Sequence, residues 1–587
     1  MSWRPLVLRC LVSALAVSVA ASLTAMLPAW ADDSTALVRD ISPGQTDANP
    51  RDFVVVGQLV FFVAEDPAHG AELWKSDGTP AGTTLVKDIR PGPAGSSLAS
   101  LTALGGQVLF RADDGAGTSG VELWRSDGTA AGTTLVKDIN AGAGASSPDH
   151  LTSLGAKILF DAYDPVNGRE LWQSDGTQAG TTLVKDIRSG SASSAPGATT
   201  VLGTEVFFAA DDGVHGSSLW KSDGTEAGTE LVKEVVASHL TVAAGTLYFA
   251  GDDSVNGIEL WRSDGTQAGT EMVKDINPSG SSNPVMLTAV GEQVFFRAND
   301  VASQSGEELW RSDGTETGTY LVKDISAGST SSYLSQLTAL GDRLIFQADD
   351  AEKGSELWVS DGTESGTSLI RDINQGPSSS NPIELVARGA RIYFSADNGV
   401  AGAELWVSDG TDIGTSMVKD LNSGAAGSFP KSLTVLGSAL LYSATDGVHG
   451  RELWRTGPVL PPTPNPQIPL IFSVHQVSSS ANAQATLLVE APRPGSLSVQ
   501  AVGPKRRPLV KPVSVPVAAG RSSITLMLSK AGNKRLNKSF VKAKRRAKAT
   551  KNPALRVGRV DCRVRVTYVP VGEAPITLVA TYEFLKH

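Results

Sequence analysis

The chain has 587 residues, a formal net charge of −10, and 41% hydrophobic against 19% charged residues. That length exceeds one ordinary compact domain, and that composition excludes wholesale disorder. Sixty glycines with only 6% aromatic residues point to many short strands joined by turns.

In chain order, residues 1–31 read as a signal peptide. Arg4 and Arg9 form a basic start, 11–27 is apolar, and Ala29-Trp30-Ala31 has the small-residue form of a cleavage site. The rival reading is an N-terminal membrane anchor, because the apolar run is nearly long enough to span. Cleavage would leave a secreted or cell-surface protein with no transmembrane segment in the mature chain. Cys10 would depart with the signal, and Cys562 alone cannot form an internal disulfide.

Residues 32–457 are a repeat. Tryptophan recurs at Trp74, Trp124, Trp172, Trp220, Trp261, Trp310, Trp358, Trp406 and Trp454, each within a version of E-L-W-x-S-D-G-T. Each unit divides into four strand-like runs. In the second these are SLASLTALG (97–105), QVLFRAD (107–113), VELWRSD (121–127) and TTLVKDI (133–139). β-Branched and aromatic residues fill the runs while Asp, Gly and Asn fill the joints, the pattern of an antiparallel meander. Such a unit, repeated, predicts an all-β fold: a β-propeller of about nine four-stranded blades. The region opens on a lone fourth strand, ALVRDI (36–41), and its last unit stops after its third, so pairing the two would close the ring without a free edge. A ring of eight with one displaced unit is the alternative. The irregular place lies between Trp220 and Trp261, where the usual Gly/Ser connector is missing.

Within the motif, Leu and Trp are expected to fill both faces of each blade, and Asp-Gly to turn the chain. A plausible register pairs Glu72 with Lys87, although one unit carries Ser218 in place of Glu. Acidic loops, marked by Asp66, Asp114, Asp164, Asp212, Asp253, Asp300, Asp350, Asn398 and Asp446, are read as turns. Structural calcium is the alternative there, but the D-x-D-x-D-G spacing of a calcium loop is absent. His69, His215 and His449 share one turn slot in different units, so no histidine triad follows. No nucleophile, zinc-protease or phosphate-loop motif occurs, and the motif contributes no catalytic, cofactor-binding or metal-ligating residue. Tyr163, His239, Tyr320, Tyr333 and Phe429 break the repeat and are the places to look for specificity.

The nine copies of E-L-W-[KRQV]-S-D-G-T-x-x-G-T-x-[LM]-[VI]-[KR]-D resemble the bacterial ELWxxDGT repeat family, over roughly 36–457. Departures fall at Ser218, at Glu234 and at Arg455-Thr456-Gly457, which replaces S-D-G-T in the last copy. The resemblance implies a secreted, propeller-type protein and supplies no catalytic residues.

Residues 458–469 form a Pro-rich linker, and 470–587 a basic module. From 457 onward there are 21 Lys and Arg against four acidic residues, and residues 1–31 add Arg4 and Arg9, which, against the −10 total, leaves the repeat region near −29. Alternating runs at 484–492, 495–503, 522–529, 562–570 and 576–585 predict a small β-sandwich. It resembles Ig-like C-terminal domains of secreted actinobacterial proteins.

These features predict a monomeric, non-enzymatic binding or scaffold protein. Its acidic propeller would meet a protein or glycan ligand, and its basic module would tether it to an anionic envelope polymer. Specific nucleic-acid binding is not expected, because no aromatic platform interleaves the charges. The competing class is a secreted glycan hydrolase or lyase with its site at the ring mouth.

Overall fold

The computed structural model describes residues 34–117, 119–301 and 304–458, and the backbone of seven further strands between 472 and 586. The expected signal peptide, all of the linker after Pro458, and the basic run 530–551 lie outside the described residues. Two compact units divide the chain between Pro461 and Pro462.

The first unit is a propeller of nine four-stranded antiparallel blades. Blade 1 runs Arg51–Val56, Leu59–Asp66, Gly70–Ser76 and Thr84–Lys87. The first strands of successive blades are neighbours around the axis, and the one in blade 9, Lys431–Leu436, returns to the one in blade 1. Blade 9 is completed by the N-terminal strand Thr35–Arg39, antiparallel to Arg451–Thr456. The ring thus has nine blades rather than eight. The short interval forms a complete blade 5, whose first strand Val236–Ala243 follows Glu230–Lys233 almost directly.

Why Leu and Trp are repeated is visible between the blades. Adjacent residues of a strand face opposite sides. Leu73 therefore packs toward blade 2, beside Phe110 and Trp124, while Trp74 packs toward blade 9, beside Leu441 and Leu453. The same Leu-to-next-Trp contact recurs at all nine interfaces. The nine tryptophans are only 4–6% exposed, and burying each indole contributes a few kcal/mol.

The polar letters of the motif are equally structural. Asp77 Oδ1 accepts from the Thr79 amide and hydroxyl, and Thr79 Oγ1 accepts from Gly82 N. Thr83 donates its hydroxyl to the Thr79 carbonyl, so Ser76 must donate to Thr83 Oγ1 while accepting from Gly78 N. At Gly82 a Cβ would lie 2.0 Å from the Asp77 carboxylate, so glycine is required there.

Fourth-strand cations then staple the blades together. Lys87 Nζ donates to the Thr133 carbonyl of blade 2 at 2.8 Å and lies 5.7 Å from the Trp124 ring centre. Equivalent bonds of 2.5–2.9 Å join every other successive pair whose receiving blade has the S-D-G-T loop. Blade 9 has no such loop, and Lys419, which would face it, is exposed.

The expected Glu72–Lys87 pair does not form. A register shift places Leu73 opposite Lys87, and the two side chains serve different neighbours. Fully buried Glu72 accepts from Ile89 N and Arg90 N, at 3.1 and 3.2 Å, in the connector to blade 2. In blade 2, Glu122 gathers Ile139 N, Asn140 N, Ser146 N and the Ser146 hydroxyl. Each such glutamate therefore pins the connector that leaves its own blade. Blade 4 has almost no connector to pin, and there the residue is Ser218, bonded to the His215 carbonyl. At the closure the connector is the N-terminal segment, and Glu452 accepts from Ile41 N and Ser42 N.

In the second unit, Phe472–Val477, Gln484–Ala491 and Gly520–Met527 form a three-stranded antiparallel sheet. Val513–Val517, Gly495–Ala501, Gly558–Pro570 and Ile576–Lys586 form a four-stranded one. All five strand runs expected from the sequence are present.

Candidate binding site at the mouth of the ring

The two faces of the propeller differ in kind. One carries the S-D-G-T loops and their staples. The other carries the connectors and the loops between second and third strands, which pack on each other: a Cβ at Gly70 would meet Gly95 N and Pro93 O at 2.6 Å. The innermost strands begin at this second face, and their first residues surround its mouth.

Those strands share an irregularity that the sequence pattern does not announce. In eight blades the pairing of first and second strands shifts register. Each shift spans one residue at positive φ: Asp52, Ser100, His150, His239, Met286, Gln336, Glu384 and Ser432. This is a β-bulge, which re-aims a side chain at a ring edge. A second positive-φ slot lies three residues before seven of these, at Asn49, Ser97, Ser147, Asn283, Tyr333, Asn381 and Phe429, and blade 4, which has no bulge, keeps its equivalent at Ala195. Non-glycine residues rarely hold such backbone, and it concentrates where function needs a fixed geometry. The motif departs from its pattern at only a few positions, while these two slots differ from blade to blade.

Three residues that break the repeat fall in the two slots. Tyr333 and Phe429 occupy the outer slot of blades 7 and 9, 64% and 48% exposed. His239 occupies the bulge slot of blade 5. Tyr163 lies instead on the second strand of blade 3, beside the loop. Tyr320 lies on an outer fourth strand under the Arg311 guanidinium, 4.7 Å from its ring centre.

Sequence reasoning missed the most polar sector, in blade 3. His150 Nδ1 is 2.8 Å from Asp161 Oδ1. Asp161 is 4% exposed and also accepts from Arg169. Arg169 in turn donates to the Ser146 and Ser147 carbonyls, which fixes the carboxylate from behind. Asp149, opposite Asp161, accepts from the Ser100 hydroxyl at 2.6 Å and from Arg111 at 3.1 Å. The His150–Asp161 bond holds the imidazole by Nδ1 and leaves Nε2, in a side chain 42% exposed, to donate to or accept from a ligand. Beside it, in blade 4, the first strand is cut to Thr200–Leu202 with no bulge, and Thr199 Oγ1 is buried without a partner among the described residues. His150 and His239 therefore flank the one shortened inner strand. The signal that could have found this sector is Asp161 itself, a carboxylate at a position that is Val63, Ala209 or Ser443 in other units.

The three turn histidines stay apart, as the sequence suggested. Each binds its own loop aspartate through Nδ1, at 2.8 Å in His69–Asp66 and 2.7 Å in His215–Asp212 and His449–Asp446. That hydrogen bond raises each imidazole above its ordinary pKa. The loop carboxylates cap their own turns, as Asp212 does for Val214 N and His215 N. Among the described residues, no group of three or more His, Cys, Asp or Glu is arranged to hold a metal ion. No described helix is long and apolar enough to cross a membrane.

No protein-family model and no curated protein matches the chain. Among solved structures it is similar to a puromycin hydrolase, at 15% identity and a TM-score of 0.32 over 59% of this chain and 58% of that one. It is also similar to prolyl oligopeptidase B from Galerina marginata, at 11% and 0.34 over 67% and 55%. A third is the β-propeller domain of the Trilobed protease from Pyrococcus furiosus, at 13% and 0.30 over 56% and 99%. The chain thus spans little more than half the length of the first two. Likenesses at these scores carry neither an activity nor a ligand to this chain. The protein is a closed nine-bladed propeller followed by a separate β-rich unit.

Proposed function

We propose that this is a secreted or cell-surface binding protein of the ELWxxDGT repeat type, whose propeller presents a ligand site at the connector-side mouth. One observation carries the reading. The motif's polar side chains are consumed in holding the ring, while side chains of varied kind occupy the positive-φ slots around the axis, two in each blade except blades 4 and 5, which have one. A ring stapled at eight of its nine joints, with varied side chains around its mouth, suits recognition. Exposed Tyr333 and Phe429 supply flat apolar contact, and Asn, Ser and His neighbours supply hydrogen bonds, the mixture that favours a glycan or protein ligand. The excess of Lys and Arg after residue 457 supports tethering to an anionic envelope polymer.

The test is retention of the purified chain on isolated cell envelopes and on a glycan panel. Tyr333→Ala with Phe429→Ala should reduce ligand binding without moving the unfolding midpoint, and unchanged binding would remove the mouth from the account. A chain ending at Pro469 should be released from envelopes at lower salt than the full chain. Equal retention would end the tether.

A second reading, a glycan hydrolase or lyase, is favoured by the His150–Asp161 pair alone. It requires turnover that His150→Ala abolishes and Asp161→Asn weakens.

A further inference from the structure

The loops between second and third strands repeat a residue that the scaffold does not need. At their tips stand Val166, Val214, Val255, Val301, Val400 and Val448, in blades 3, 4, 5, 6, 8 and 9. They are 71%, 80%, 84%, 55%, 74% and 61% exposed. In the five where the bond is resolved, the valine amide donates to the loop Asp or Asn carboxyl or amide oxygen at 2.8–3.0 Å, so the turn holds each side chain outward in the same way. The turn itself does not call for valine. Ala68, Ala116 and Glu352 fill the same tip in blades 1, 2 and 7 with the same amide bond. Valine is moreover disfavoured in an exposed turn. Six exposed apolar side chains at equivalent places therefore mark a contact surface rather than a folding requirement.

The charge around these tips says what kind of surface meets them. Every one of the nine loops except that of blade 8 places an aspartate at the turn. The connectors on the same face add an acidic residue at each fourth-strand end, as at Asp88, Asp138 and Glu234. Several basic groups on this face are already paired: Arg90 with Asp113, Arg188 with Asp211, and Lys353 with Asp372. On the opposite face, by contrast, Lys and Arg reach from every blade but blade 8 into the next S-D-G-T loop. The negative charge of the repeat region is thus weighted to the valine-bearing face.

We infer that this face docks a cationic polypeptide, a Lys/Arg-rich surface with apolar side chains between its charges. A second copy presenting the same acidic face would be repelled, and so would an anionic membrane. The carboxylates draw the basic groups and the valines supply the apolar contact between them. The inference rests on the binding-platform reading and names the class of partner.

The experiment uses the full chain and two soluble peptides of equal length and charge, one of lysines spaced by serine and one of lysines spaced by leucine. Binding is measured at low and physiological salt. The leucine-spaced peptide should bind more tightly, and both should weaken with salt. A triple variant, Val166→Ser, Val214→Ser and Val255→Ser, keeps the turns, since other residues occupy that tip naturally. It should lose about tenfold in affinity for the leucine-spaced peptide and change little toward the serine-spaced one. Equal affinity of variant and parent for both peptides overturns the inference. So does valine-dependent binding to phosphatidylglycerol vesicles, or valine-dependent self-association in sedimentation. Tyr333→Ala with Phe429→Ala separates the two levels. If peptide binding fails while that double variant still loses the mouth ligand, the partner class is wrong and the platform stands. If neither variant alters any binding, the platform reading itself fails.

Discussion

Replacing Glu122 by serine gives blade 2 the side chain that blade 4 carries naturally at Ser218. In blade 2 the connector is present, and Glu122 accepts from Ile139 N at 2.9 Å, Asn140 N at 3.4 Å, Ser146 N at 2.8 Å and the Ser146 hydroxyl at 2.5 Å. Serine is too short to reach these donors, so buried amides lose their acceptor. At about 1 kcal/mol net for each good bond, with more for an amide left dry, the loss is roughly 3–5 kcal/mol. The reverse change, Ser218→Glu, puts a carboxylate into a buried slot whose connector donors were deleted, and an uncompensated buried charge costs on the order of 3–5 kcal/mol. Urea unfolding of both variants measures the totals. Amide hydrogen exchange at Ile139 and Ser146 localises the first. A cost below about 1 kcal/mol for either change would refute the claim that this glutamate exists to hold the connector.

Three further outcomes follow from the same contacts. Gly132→Ala would bring a Cβ within 2.1 Å of the Asp127 carboxylate and should lower the urea midpoint by the equivalent of about 2 kcal/mol; an unchanged midpoint would mean that the S-D-G-T loop does not require glycine there. Lys137→Met removes the bond to the Thr181 carbonyl and the cation over Trp172, and should cost about 1–2 kcal/mol by denaturant titration. The third concerns pH. Burial pushes Glu452 from 4.5 up to about 8, against its two amide bonds, with Asp40 and Asp47 adding repulsion. A carboxyl whose folded pKa is raised binds more protons folded than unfolded, so its contribution is fully present below about pH 4.5 and is lost as pH rises through about 8. Glu72 and Glu308, each pushed up to about 7 by burial, act in the same direction. Stability should therefore fall between pH 5 and 8, and Glu452→Gln should flatten the upper part of that slope while costing one amide bond. A slope of opposite sign in wild type would contradict the burial account.

Much of the fold was legible because each strand carries its own period and each joint its own turn residues, nine times over. The unpaired strand at the start and the missing one at the end gave the closure. What pattern alone misplaced was side-chain partnership. Glu72 and Lys87 look like a cross-strand pair, but the register shift after Leu73 sends the first to a connector and the second to the next blade. No spacing rule encodes a shift of one residue. The mouth was harder still. His150 and Asp161 lie on different strands of one unit, each ordinary in its local run, and only the bulge in the inner strand brings them to 2.8 Å. Tyr333 and Phe429, by contrast, were visible as aromatic departures at one position of the repeat, and the structure puts them in equivalent slots.

The central claim is a ring of nine equivalent blades shut by its N-terminal strand, and a cross-link at the closure tests it most directly. Thr35 and Thr456 are paired across the closing strands, with hydroxyl oxygens 2.8 Å apart. In a Cys10→Ser, Cys562→Ser background, Thr35→Cys with Thr456→Cys should form an intramolecular disulfide in nearly every molecule under mild oxidation, and that bond should raise the urea midpoint. Free thiols at both positions in the folded, oxidised protein would show that these ends do not meet, and the closed ring would be wrong.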